Sequence, residues 1–150
     1  MSKQFAVFSR SCELPETDGY VLKLNSNADW YNVVFFGGES FSNFKVVGEA
    51  ITYAKENIIR KGGKTIWFSI DTNATILNQR ILRTLVEEID GCLVSIDGPR
   101  EVQDYNRPYK SGRESFSTVI RNIATLKENG IPIELRASFT SDLEDIVKVA

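Results

Sequence analysis

The sequence predicts an α/β protein built on a parallel sheet, and three observations carry that reading. Short β-branched and aromatic runs recur at Val33 to Phe36, Thr65 to Ile70, Cys92 to Ile96 and within Ile131 to Phe139. Segments with apolar residues at helical spacing separate them. Each run also breaks into small or polar residues at its end. Strands that alternate with helices in this way imply a parallel sheet with right-handed crossovers.

The first 31 residues form a separate N-terminal segment. Phe5 to Phe8 and Tyr20 to Leu24 are expected as two short strands of a hairpin about the turn-rich stretch Glu13 to Gly19. Asn32 to Ser40, Asn-Val-Val-Phe-Phe-Gly-Gly-Glu-Ser, opens the main unit, residues 32–150. Val33 to Phe36 is apolar throughout, as expected for a strand covered on both faces. Gly37 and Gly38 remove side chains where that strand ends, and Glu39 sets an acceptor beside the bare backbone. Two readings fit the glycines: a turn that needs positive φ, or backbone that a ligand approaches.

A helix follows, with Phe44, Val47, Ile51, Ala54 and Ile58 as its apolar stripe. The strand Thr65 to Ile70 then ends in Asp71-Thr72-Asn73. Asn78 is positioned to cap the next helix, striped by Ile81, Leu82, Leu85, Val86 and Ile89. The third strand ends in Asp97-Gly98-Pro99, and a polar loop carries Arg100, Arg107, Lys110 and Arg113. Ser115 is expected to cap a helix with Val119, Ile120, Ile123 and Leu126 inward and Gly130 as its stop. After the fourth strand, Ser141 and Glu144 form a capping box for a last helix.

Composition limits the function. The 150 residues suit one domain with a real core, 42% apolar and 25% charged, with a net charge of −2. That balance predicts no field for holding nucleic acid or an anionic membrane. With no transmembrane-length segment and no signal-peptide core, the expected location is cytoplasmic. Cys12 and Cys92 lie far apart, which argues against a disulfide framework, and Cys92 reads as a small core hydrophobe. Trp30 and Trp67 likewise read as packing residues. The absence of histidine excludes His-based triads and most zinc sites.

In parallel sheets, ligands bind beyond the C-terminal ends of the strands. Here those ends give a single rim: Glu39, then Ser69 to Asn73, then Ser95 and Asp97, then Arg136 with Ser138 and Thr140. Solvent contact alone makes strand ends polar, yet four ends that agree in kind point to a site for a polar ligand.

At these residues the chain resembles a known family. Phe35-Phe36-Gly37-Gly38-Glu39-Ser40 resembles the Gly-Gly-Glu-Pro turn of radical S-adenosylmethionine enzymes. Ser69-Ile70-Asp71-Thr72-Asn73-Ala74 resembles their Thr-Asn-Gly strand end. Ser95-Ile96-Asp97-Gly98-Pro99, with Asp104 and Arg107, resembles a segment of the SPASM-type peptide and sulfatase maturases. The resemblance implies a partial (β/α) barrel segment of about four parallel strands, in sequential order, with helices on one face. It implies S-adenosylmethionine bound beside an iron–sulfur cluster, and an adenosyl radical that takes hydrogen from a peptide. The backbone of Gly37 and Gly38 would hold the ammonium of the methionyl moiety, with Glu39 opposing its charge. Ser69, Asn73, Ser95 and Asp97 would lie against ribose and carboxylate, and Arg136 would oppose the carboxylate.

The departures shape the expected function. The family holds its cluster with Cys-x-x-x-Cys-x-x-Cys, and two cysteines cannot supply three thiolates. Ser40 stands where proline is usual and Ala74 where glycine is usual. Residues 1 to 30 show no convincing counterpart of the first barrel strand. The expectation is therefore a partial peptide-maturase core, inactive alone, with no metal site of its own. One alternative is a non-catalytic module that binds a peptide or partner chain. Another is an unrelated small α/β enzyme using Asp71 or Asp97 as acid or base. Neither nucleic acid nor membrane is an expected partner.

Overall fold

The computed structural model describes residues 5–8, 30–56 and 65–138. Five strands, β1 (Phe5–Phe8), β2 (Trp30–Phe35), β3 (Thr65–Thr72), β4 (Gly91–Ser95) and β5 (Ile133–Arg136), form one sheet. Their order is β1-β2-β3-β4-β5 and every neighbouring pair is parallel. Sequential order without a reversal is that of a barrel segment, and a doubly wound sheet would change direction at a switch point. The helices are α1 (Phe44–Ala54), entered through a 3₁₀ turn at Ser40–Asn43, then α2 (Gln79–Glu88), α3 (Arg100–Asn106) and α4 (Phe116–Glu128).

β1 is a strand beyond the four expected from Val33 onward. Phe5 to Phe8 pairs in parallel with Asn32 to Phe35, so the sheet does have a first strand at its β2 edge. The Tyr20 to Leu24 half of the expected hairpin lies outside the described residues, as do Ile58 and the Ser141–Glu144 capping box.

The core occupies one face of the sheet. Tyr31, Val33 and Phe35 of β2, Phe68 and Ile70 of β3, and Cys92 and Val94 of β4 are buried there. Val47, Ala50 and Ile51 of α1, Ile81 and Leu85 of α2, and Val119 and Leu126 of α4 belong to the same cluster. Each of the Val, Leu, Ile and Phe side chains among them contributes roughly 1.5–3 kcal/mol through burial. The Phe35 and Phe68 rings stack with centroids 6.2 Å apart, which ties β2 to β3.

Three local expectations need correction. Burial in β2 alternates, and Phe36 beyond its end is 45% exposed, so Val33 to Phe36 is covered on one face only. Trp67 is 50% exposed on the face away from the core, where it lines an open recess with Trp30, Asn32 and Thr65. The loop from Arg100 contains a helix, α3, whose buried residue is the polar Gln103.

The caps divide similarly. Asn78 Oδ1 accepts from the Ile81 N–H at 3.0 Å, as expected of a capping residue. Ser115 does not cap α4 with its side chain. Asp104 Oδ1 accepts instead from the Ser115 and Phe116 N–H groups, each at 2.7 Å. Gly130 ends α4 at φ +75°, a conformation that glycine takes without strain.

Candidate functional site

The rim grows from the alternation of side chains in β3. Ser69 and Asp71 share the face opposite the core, while Ile70 and Thr72 point into it. Sheet register sets Ser95 of β4 beside Arg136 of β5 on Asp71's face. These neighbours form a bonded group. Arg136 Nη1 lies 3.1 Å from Asp71 Oδ2, and Arg136 Nη2 donates to Ser95 Oγ at 3.2 Å. The guanidinium also sits 5.9 Å above the Phe36 ring, within cation–π range. Burial raises the Asp71 pKa, and the Arg136 charge and hydrogen bond oppose that rise.

Glu39 and Asn73 form the second part of the rim. Glu39 Oε1 accepts from the Phe41 N–H at 3.0 Å and from Thr72 Oγ1 at 2.7 Å. Its Oε2 accepts from the Asn73 N–H at 2.8 Å. Both carboxylate oxygens thus join the turn after β2 to the end of β3. Asn73 Oδ1 accepts from the Thr75 N–H and hydroxyl, which closes a local turn. Ser40 Oγ donates 2.9 Å to the Asp71 carbonyl, with a longer contact to the Phe35 carbonyl at 3.2 Å. It bridges the ends of the same two strands.

Gly37 and Gly38 need no glycine for their backbone conformation, because neither takes positive φ. A Cβ built on Gly38 would meet no atom of the chain within 4 Å. Neither local strain nor internal crowding accounts for glycine there.

Two of the expected site residues are engaged elsewhere. Ser69 Oγ contacts Asn32 Oδ1 at 3.4 Å, lower on the sheet than Asp71. Asp97 is buried and receives Arg107 Nε at 2.7 Å and the Ser138 N–H at 3.0 Å. Burial pushes the Asp97 carboxyl up, but those bonds and the Arg107 charge hold it below its ordinary value. The Asp97 N–H donates to Gln103 Oε1, whose amide donates to Ser115 Oγ, so the segment after β4 is locked onto α3 and α4. Gly98 makes that turn at φ 135°.

The sequence reading had Asp71 and Thr72 within the rim stretch Ser69 to Asn73 without giving either a place against the ligand, and it left Phe36 and Arg107 out of the site. The period-2 spacing of Ser69, Asp71 and Asn73 was the available signal for Asp71. Nothing local announced the Arg107–Asp97 pair.

Comparison with known proteins places this geometry in a family. The model of the radical SAM superfamily matches residues 13–142. An uncharacterized protein of Methanocaldococcus jannaschii is 31% identical over 133 residues, which are 86% of this chain and 44% of that protein. A serine-type anaerobic sulfatase-maturating enzyme of Klebsiella aerogenes is 30% identical over 122 residues, 77% of this chain and 28% of the enzyme. The chain therefore spans less than half the length of these relatives. Structures of anSMEcpe with bound AdoMet share its fold at TM-scores of 0.71 and 0.73. At 22% identity they cover 81% and 83% of this chain, and 32% and 34% of their own. With the family model matched over residues 13–142, this chain belongs to the radical SAM superfamily.

Proposed function

We propose that the chain is a partial S-adenosylmethionine-binding core of the SPASM-type peptide-maturase kind, which binds the cofactor at the rim of β2 to β5 without cleaving it alone. The observation that carries this reading is the glycine turn at the rim, where neither Gly37 nor Gly38 takes positive φ and a Cβ on Gly38 would meet open space among the described residues. The Gly37–Gly38 backbone takes the ammonium end, while Glu39 fixes the turn and supplies negative charge nearby. Ser95 and Asn73 line the way to the ribose. Arg136 opposes the carboxylate with the donors that Asp71 and Ser95 leave over. Ser69 and Asp97 act from behind these groups, by the bonds that hold Asn32 and Arg107.

The residues at hand do not fit the family's iron–sulfur cluster. The chain has two cysteines, and Cys92 is buried with its thiol pushed up to about 12 by burial and by the nearby Asp71 and Glu39 charges. Among the described residues, no three His, Cys, Asp or Glu side chains gather to hold a metal. On this reading the chain by itself does not carry out reductive cleavage, because two cysteines cannot supply three thiolates. A peptide- or partner-binding module without chemistry is the second reading, favoured by that same shortage of thiolates. No described helix is long and apolar enough to cross a membrane.

Calorimetric or NMR titration with S-adenosylmethionine tests the binding. Loss of the cluster's anchoring contacts should leave the affinity on the order of 100-fold below that of an intact site. Resonances of Gly37, Gly38 and Arg136 should shift together at millimolar ligand. A titration without any shift would reduce the turn to scaffold.

A further inference from the structure

Two features of this rim are ordinarily anion sites. One is the place where the Phe41 N–H, after β2, and the Asn73 N–H, at the end of β3, converge. The other is the guanidinium fork of Arg136. A carboxylate of the chain itself fills each. Glu39 takes the Phe41 and Asn73 N–H groups. Asp71, 9% exposed, takes Arg136 Nη1. Among the described residues, Glu39, Asp71 and Asp97 have Arg107 and Arg136 as their ion-pair partners. Among these described groups one carboxylate, Glu39, has no ion-pair partner.

We propose that this arrangement selects ligands by charge, and that Asp71, acting through Arg136, is the residue that turns away phosphate-bearing adenine nucleotides while admitting an adenosine that carries a zwitterionic amino acid. The inference rests on the binding reading above and adds the class of ligand excluded. A zwitterion presents one carboxylate to the remaining donors of Arg136 and brings its own cations to the Glu39 carboxylate. A phosphate brings two charges of the same sign as Glu39 and finds both of its natural seats taken. Discrimination of this kind comes from repulsion built against the competitor as much as from attraction for the ligand. Arg136 is 44% exposed at its side chain, so the discrimination is screened by salt. Burial favours the neutral form of Asp71, and the charge and hydrogen bond of Arg136 oppose that.

The test titrates the full chain with S-adenosylmethionine, 5′-AMP and adenosine, in wild type and in Asp71→Asn. Adenosine serves as the reference for pocket shape. Wild type should prefer S-adenosylmethionine to 5′-AMP by at least about tenfold. In Asp71→Asn the affinity for 5′-AMP relative to adenosine should rise by roughly tenfold, because Arg136 is released. If S-adenosylmethionine binds wild type but that ratio does not move, the role of Asp71 is overturned and the binding reading survives. If wild type ignores S-adenosylmethionine while the variant gains 5′-AMP, the charge role stands and the binding reading falls. Silence from all three ligands in both proteins removes both. Should Asp71→Asn fail to fold, the salt dependence in wild type decides. Added salt should strengthen 5′-AMP relative to S-adenosylmethionine, and the opposite trend overturns the proposal.

Discussion

Thr72 Oγ1 donates a 2.7 Å hydrogen bond to Glu39 Oε1 across a separation of 33 residues, and the neighbouring Asn73 N–H donates 2.8 Å to Oε2. One carboxylate thereby fixes where β3 ends relative to the glycine turn after β2. The acid at this turn is a structural part as well as a charge. Its removal should be felt in stability before it is felt in binding.

Glu39→Gln makes that separable. The amide offers one acceptor oxygen and one donor nitrogen where three N–H or O–H donors converge. Either orientation sets a donor against a donor. An unsatisfied group of this kind costs about 1–3 kcal/mol, which urea denaturation should register. A loss below about 0.5 kcal/mol would show that the turn holds without the carboxylate. Cofactor affinity should fall by roughly tenfold in the fraction that remains folded.

Asp97 and Arg107 give an acid-limb prediction. The Asp97 carboxyl is held below its ordinary 3.8 in the folded protein, so its contribution is present above that pH. It is lost as pH falls through the folded pKa. Arg107→Met keeps the stem but leaves a carboxylate that is 3% exposed without its cation. The expected destabilisation is about 3 kcal/mol at neutral pH, at the low end for a broken pair because the Arg107 side chain is 30% exposed. The variant should also lose less stability than wild type on acidification. Equal acid limbs in a pH series of thermal melts would rule the pair out as their source.

Cys92 carries the opposite sign. Its thiol is raised from 9.0 to about 12, so the neutral form is favoured by folding. That contribution is complete below pH 9 and drains away as pH rises toward 12. In a Cys12→Ser background, alkylation at pH 8 should be slow in buffer and fast in denaturant. Rapid labelling of the native protein would mean that Cys92 is reachable.

The strands were legible because each is a dense run of β-branched and aromatic residues, and their sequential order followed from the resemblance of the turns that end them. The rim residues were legible as a set, since polar groups at the ends of parallel strands converge by topology alone. Their partners were not. Arg136 bonds Ser95 from 41 residues away, and Asp104 caps α4 from 11 residues upstream, and no local pattern encodes either. α3 escaped notice because Arg100 to Asn106 has no apolar stripe and is anchored through Gln103. β2 misled in the other sense: four apolar residues in a row suggested two covered faces, but the structure covers one.

Ala74 offers the last prediction. It sits at φ 53°, 1% exposed, in the position where the resemblance led us to expect glycine. Its N–H donates to Thr72 Oγ1 at 2.9 Å and its carbonyl accepts from Asn122 Nδ2 at 2.8 Å. Those two bonds hold a left-handed residue that costs about 1–2 kcal/mol for an L side chain. Ala74→Gly relieves that cost but gives up a buried methyl, about 0.8 kcal/mol, and adds freedom to the unfolded chain, about 0.4–1 kcal/mol. The net change should stay within about 1 kcal/mol. Ala74→Val brings a β-branched side chain to positive φ in a filled site and should cost more than about 2 kcal/mol. Asn122→Ala leaves the Ala74 carbonyl without its partner and should cost about 1–3 kcal/mol. Denaturant midpoints of the three variants, measured together, check the ranking. Valine tolerated as well as glycine would mean that the turn after β3 relaxes, and that the rim is less rigid than its bonds suggest.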